Sequence, residues 1–313
     1  MNEKRVNRTG WLYLVIIELF ILANIVRLLL GERGEMNIFP DILLSQGMII
    51  LPVIIYCIIT RTGLKDLFSF RVVRIPTLFL TVLYIIMWYP LIAACNAFTM
   101  LFTENTAMEM SQSFEGVNPF LIWLIVGVAG PLMEELAFRG VILSGLKKSG
   151  RILASVVLQA LMFGVLHLNL NQMSYAIVLG IAFGLAVSAT ESVWCGFVGH
   201  MLINSVSVIA MQVMSRLPGD LMEESMGAFS DPVAMGQIAS VIPVLFLAGL
   251  VSAGLSMFLL KAMSSIEGRG EIFGRMPAGR KFEGAKIRVF TLPAVLGLLL
   301  GVVFIAIQLL IRF

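Results

Sequence analysis

Apolar stretches of about 20 residues recur along this 313-residue chain with only short connections between them, and each is long enough to cross a bilayer as a helix. Hydrophobic residues make up 59% of the chain and charged residues 13%. Soluble domains hold roughly 45 to 50% and about 25%, so a soluble globular protein is excluded. Dividing the chain at charges and turn residues predicts spans near 11–30, 40–60, 76–100, 119–146, 152–170, 173–191, 193–214, 237–260 and 289–311. Backbone groups in hydrocarbon need partners within their own segment, and no alternating ten-residue barrel pattern is present, so the spans are helical. The fold class is all-α, a polytopic transmembrane bundle of eight or nine spans. The count depends on 40–60, which carries Pro40 and Pro52 and is weak enough to be re-entrant. No linker or internal repeat divides 1–313, which reads as a single integral membrane domain.

The basic residues set the orientation, because they favour cytoplasmic loops. With the N-terminus inside, Lys4, Arg5 and Arg8 lie in the cytoplasm, followed by Arg61, Lys65, Arg71 and Arg74, then Lys147, Lys148 and Arg151. The loop from Lys261 to Arg288 is the fourth such group and is expected to lie on the membrane surface, attracting anionic lipid. Glu104, Glu109, Glu115, Asp220, Glu223, Glu224 and Asp231 fall in external loops, while Arg27, Arg33, Arg216 and Arg312 dissent. This predicts a multi-pass protein of the cell membrane with a cytoplasmic N-terminus. The opening MNEKRVNR is like the basic start of a signal peptide, but no A-x-A site follows the apolar run to Leu30, so the first span is read as uncleaved. The formal charge of +3 gives no ground for a nucleic-acid partner. Cys57, Cys95 and Cys195 lack CxxC spacing and read as packing thiols.

Ionisable groups cost roughly 2.5 to 3.5 kcal/mol each inside a bilayer, and those that persist are usually paired and functional. They cluster here. The segment GPLMEELAFRG puts Glu134, Glu135 and Arg139 in the middle of an apolar run. LMFGVLHLN puts Phe163 and His167 one helical turn apart, and GHMLINS does the same for His200 and Asn204. His167 and His200 are the only histidines in the chain. Residues four apart share a helix face, so Glu135 can reach Arg139, while Glu134, about 100° around the helix, is left to face another partner. A carboxylate near an imidazole can deprotonate water. An amide N–H and an imidazole N–H can hold the oxyanion of a tetrahedral intermediate. These are parts for hydrolysing an amide without a covalent enzyme intermediate, and they are equally the parts of a polar network that glues helices together.

The three segments together resemble the CAAX protease and bacteriocin-processing family, whose pattern is EExxxR, then FxxxH, then HxxxN on successive core helices. The matching residues are Glu134, Glu135 and Arg139, then Phe163 and His167, then His200 and Asn204, so that 119–214 reads as the catalytic core. The resemblance implies an intramembrane endopeptidase of the glutamate type. Glu134 would be the general base helped by His167, with His200 and Asn204 as the oxyanion hole and Glu135 and Arg139 in support. It implies a peptide or membrane-protein substrate within the lipid bilayer: a prenylated CAAX protein, or a bacterial leader peptide or bacteriocin in processing and self-immunity. No cofactor is expected. Zinc is the alternative, since glutamate and two histidines are also metal ligands, although HExxH is absent. A transporter or non-catalytic scaffold with a buried proton relay is the rival of a different class. Cys195 and His200 lie about 140° apart on a helix, which speaks against a thiol mechanism. With these boundaries His167 sits about six residues past the middle of its span, roughly 9 Å at 1.5 Å per residue, out of level with the other candidates.

Overall fold

Proline and asparagine mark where several helices begin. Pro76, Pro119 and Pro293 stand in the first turn of their helices, where a missing N–H removes nothing the helix uses. Asn118 and Asn169 accept hydrogen bonds from the backbone N–H of Phe120 and Gln172, as N-cap side chains do. The structure, a computed structural model, describes residues 2–30, 38–63, 71–103, 116–214, 216, 232–271 and 287–312. Among these residues nine helices follow in order, with no strand: α1 (Asn2–Leu30), α2 (Ile38–Thr60), α3 (Ile75–Met100), α4 (Pro119–Ser149), α5 (Ile152–Leu166), α6 (Leu170–Thr190), α7 (Val193–Met214), α8 (Pro232–Ile266) and α9 (Leu292–Arg312). Eight are long and apolar enough to cross a membrane, and α5 is not. The architecture is a polytopic helical bundle. Large apolar side chains such as Ile58, Phe79, Phe258 and Leu310 are exposed on its outer faces, as a surface in contact with lipid requires.

Several boundaries differ from those read in the sequence, each for a local reason. Helix α1 starts at Asn2 rather than near residue 11, because Val6 and Thr9 are buried against the bundle and hold the charged first turns helical. Helix α8 extends over 232–266 rather than 237–260. Helix α5 ends at Leu166, not 170, and α6 starts at Leu170, not 173. The break falls at Leu168, whose φ of 47° is left-handed and turns the chain sharply. At 15 residues α5 is roughly 22 Å long, short of the ~30 Å hydrocarbon core. His167 is therefore at the tip of a short helix rather than deep in a long one.

Helix α6 is the most buried of the long helices. Two clusters pack around the interior. One includes Tyr13, Ile16, Phe138 and Phe163 from α1, α4 and α5; the other includes Tyr84, Ile85, Phe183 and Leu260 from α3, α6 and α8. Phe163 and Phe183 meet at the site described below. At one end of the bundle the start of α1 touches the end of α4, Gly145 lying against Thr9, and the start of α9, Gly10 lying against Thr291. At the opposite end Arg27, one of the dissenting cations of the sequence, hydrogen-bonds Asp41. The acidic residues assigned to external loops, Lys65, Arg33 and the basic residues 275–286 lie outside the described residues.

Candidate active site

The site is built on α4, and α4 is not a uniform helix. Its segments Trp123–Ala129 and Leu136–Leu143 are π-helical, flanking an α-helical turn from Gly130 to Glu135. Proline supplies a physical reason for the first. Gly130 donates its N–H five residues back to Ile125, and Pro131 has no N–H to give. The Val126 carbonyl instead accepts from the side chain of Asn204 at 3.1 Å. Wide turns of this kind often occur at functional sites, and here they frame the two glutamates.

Glu135 is fully buried. Its Oε1 accepts from Arg139 Nη1 at 2.6 Å and from His200 Nδ1 at 2.9 Å. The first contact is the i to i+4 pair expected from spacing, and the second crosses from α4 to α7. The guanidinium of Arg139 lies over the ring of Phe163, 4.4 Å from its centroid, and 5.1 Å from that of Phe183, so aromatic faces supplement the ion pair. Phe183 also stacks on the imidazole of His200 at 5.1 Å. Phe163 meets the rings of His167 and His200 edge to face. It packs as a wall between the two histidines.

Glu134 is placed differently from its neighbour. Its side chain keeps 17% of its surface accessible where Glu135 keeps none, and its Oε2 lies 3.8 Å from His200 Nε2. That separation is too long for a direct hydrogen bond and leaves both atoms free to contact a water beside the pair. An ionised Glu135 can only accept, so it fixes a proton on His200 Nδ1 and leaves Nε2 facing Glu134. The same reasoning applies to His167, whose Nδ1 lies 2.9 Å from the Phe163 carbonyl. A carbonyl only accepts, so Nδ1 carries the proton and Nε2 is the free base. His167 lies within electrostatic reach of both Glu134 and His200, and both imidazoles contact the ring of Phe163. With α5 over Ile152–Leu166, His167 stands just past its last turn, further from the middle of the helix than the sequence boundaries placed it.

Glu134, Glu135, Arg139, His167 and His200 converge, as their spacing suggested. Asn204 lies one turn beyond His200 and is held to α4 through Val126, two turns before Glu134. Among the described residues no three His, Cys, Asp or Glu side chains form a metal-ligand group. Sequence reasoning passed over Gly196 and Gly199. A Cβ on Gly196 would collide with Glu135 Oε2, and one on Gly199 would press on Ile85 and Phe183. Gly196 lets α7 approach Glu135 closely, and Gly199 lets it pack on α3 and α6. Their signal was present as two glycines three apart in GFVGH. Ser205 was also missed; its Oγ accepts from Trp123 Nε1 at 2.9 Å and fastens α7 to the first π-helical segment.

Comparison with known proteins points the same way. Residues 116–206 match the family described as Rce1-like, type II CAAX prenyl endopeptidase Rce1-like. Over 223 residues the chain is 26% identical to the membrane-embedded CAAX protease MroQ of Staphylococcus aureus (strain USA300), covering 64% of this chain and 88% of that protein. Over 89 residues it is 24% identical to a candidate membrane peptidase, YdiL of Bacillus subtilis (strain 168), covering 28% of this chain and 36% of that protein. The second match thus spans about a third of its relative's length. No solved structure matches the chain significantly.

Proposed function

With the matches supporting the CAAX protease and bacteriocin-processing family, we propose that this chain is an intramembrane endopeptidase of the glutamate type. The observation that carries the reading is the division between two adjacent carboxylates. Glu135 is buried and neutralised by Arg139, whereas Glu134 is partly open and lies 3.8 Å from an imidazole nitrogen, so that one water can reach both. A water held there gives its proton to Glu134 as its oxygen attacks the scissile carbonyl, with His167 Nε2 helping to orient it. Glu134 then passes that proton to the leaving amine. The oxyanion is held by Asn204, whose second amide hydrogen remains beside its bond to Val126, and by His200. His200 donates through Nε2 when both ring nitrogens carry protons.

The substrate is a peptide or membrane protein reaching the site within the bilayer. The relatives above are bacterial proteins, and a leader peptide is the class to try first. The protein lies in the cell membrane with its N-terminus in the cytoplasm, and no metal takes part. The test is cleavage of a quenched peptide library, free and prenylated, by the purified protein in detergent, beside Glu134→Gln and His167→Ala and with or without chelator. The reading expects cleavage that survives chelation and falls about 10²–10⁴-fold in Glu134→Gln, the usual worth of a general base. Loss on chelation would make the site a zinc enzyme's. Failure to cut any peptide would favour a transport or scaffold role.

A further inference from the structure

At the edge of the bundle, α1 and α2 leave between them an apolar groove of about 760 Å³. It exists because α2 has little to offer at its middle: Gly47 has no side chain, and a Cβ there would meet nothing within 4 Å. The lining is hydrophobic apart from its mouth, where Arg8 of α1 and Thr60 of α2 stand. Along α1 the lining runs from Arg8 to Leu19, a length of roughly 16 Å at 1.5 Å per residue. That is about half of the ~30 Å hydrocarbon core, the depth of one leaflet.

The mouth is basic. Arg5 and Lys4 precede Arg8 by three and four residues and share its side of the helix, and Arg61 directly follows Thr60. Two guanidinium nitrogens of Arg5 are buried with no hydrogen-bond partner. No carboxylate lines the groove. A slot one leaflet deep, apolar along its length and cationic at its opening, matches the chemistry of a membrane lipid: hydrocarbon chain below, negative headgroup above. We propose that the α1–α2 groove binds one chain of a glycerophospholipid with an anionic headgroup, whose phosphate is held by Arg8. The groove lies beside the catalytic candidate, since α2 packs on α4 and Gln46, next to Gly47, lies against Gly130. A bound lipid therefore braces the helix that carries Glu134.

The test reconstitutes the full chain in bilayer discs of phosphatidylcholine mixed with phosphatidylglycerol of equal chain length, then counts retained lipids by native mass spectrometry. Wild type is expected to retain one phosphatidylglycerol in preference to phosphatidylcholine. Gly47→Leu fills open space without pressing on the fold, and is expected to lose that lipid while its thermal unfolding without lipid is unchanged. Arg8→Gln keeps lipid bound and reduces the preference for phosphatidylglycerol about fivefold, the worth of one basic residue near an anionic surface. Equal retention of both lipids by wild type, or undiminished phosphatidylglycerol on Gly47→Leu, overturns the proposal. So does complete displacement by a prenylated peptide, which would assign the groove to the tail of a substrate.

Discussion

Two buried carboxylates, one in the middle of the bundle and one at its end, are satisfied in opposite ways. Glu135 has one charged partner, one imidazole, and an Oε2 left without a hydrogen bond against Gly196. Glu267, just past α8, is 3% exposed and has a partner at each oxygen. Its Oε1 accepts from Thr77 Oγ1 at 2.6 Å and from the Arg74 N–H at 2.9 Å, and its Oε2 lies 3.7 Å from Arg71. Around it, Ser192 donates to the Arg71 carbonyl, and Arg269 pairs with Glu191. The end cluster closes on itself and ties α3, α7 and α8 together. The central cluster stays incomplete and presents a second carboxylate, Glu134, beside it. Fastening uses up hydrogen-bonding capacity, whereas a site that must hold water and a peptide keeps some in reserve.

That contrast can be attacked by substitution. Arg139→Met removes the guanidinium paired with Glu135 and leaves a buried charge without it. Unfolding in detergent is expected to show a loss of about 3–5 kcal/mol, and a loss below 1 kcal/mol would mean that Glu135 is neutral. Asn204→Ala deletes the amide that holds Val126 and, in the proposed mechanism, the oxyanion. Cleavage should fall about 10²–10³-fold, and a change in KM alone would deny it the second role. Gly196→Ala forces α7 away from Glu135 Oε2. It should destabilise by about 1–3 kcal/mol and lower cleavage with it, because His200 moves with the helix.

The end cluster gives an effect on stability alone, with no loss of cleavage, and a sign in pH. Burial pushes the Glu267 carboxyl up, but the hydrogen bonds from Thr77 and Arg74 and the charges of Arg71 and Arg74 outweigh it, and the group titrates below its ordinary 4.5. A depressed value stabilises the fold above pH ~4.5 and loses that contribution as pH falls through the lower folded value. Glu267→Gln should cost about 1.5–3 kcal/mol at neutral pH and flatten the acid limb of the stability profile. An unchanged acid limb would show that other carboxylates set it.

How far the sequence could be read follows from the range of each interaction. The bundle was legible because a bilayer permits little else for such apolar runs, and the Glu135–Arg139 pair was legible because it is local to one helix. The contact between His200 and Glu135 joins residues 65 apart, and no spacing rule reports it. The π-helical turns depend on where the Pro131 donor is missing and on which side chain, here Asn204, takes the orphaned carbonyl. The place of His167 at the tip of α5 was not legible because Leu168, a residue with no breaker chemistry, adopts the left-handed turn that ends the helix early.

The most direct test sets Glu134→Gln beside Glu267→Gln, measuring peptide cleavage and unfolding on the same preparations. The account predicts that Glu134→Gln loses cleavage about 10²–10⁴-fold while unfolding as wild type does. It predicts that Glu267→Gln is less stable and cleaves at the wild-type rate when folded. A Glu134→Gln protein that still cuts peptide at the wild-type rate would contradict it.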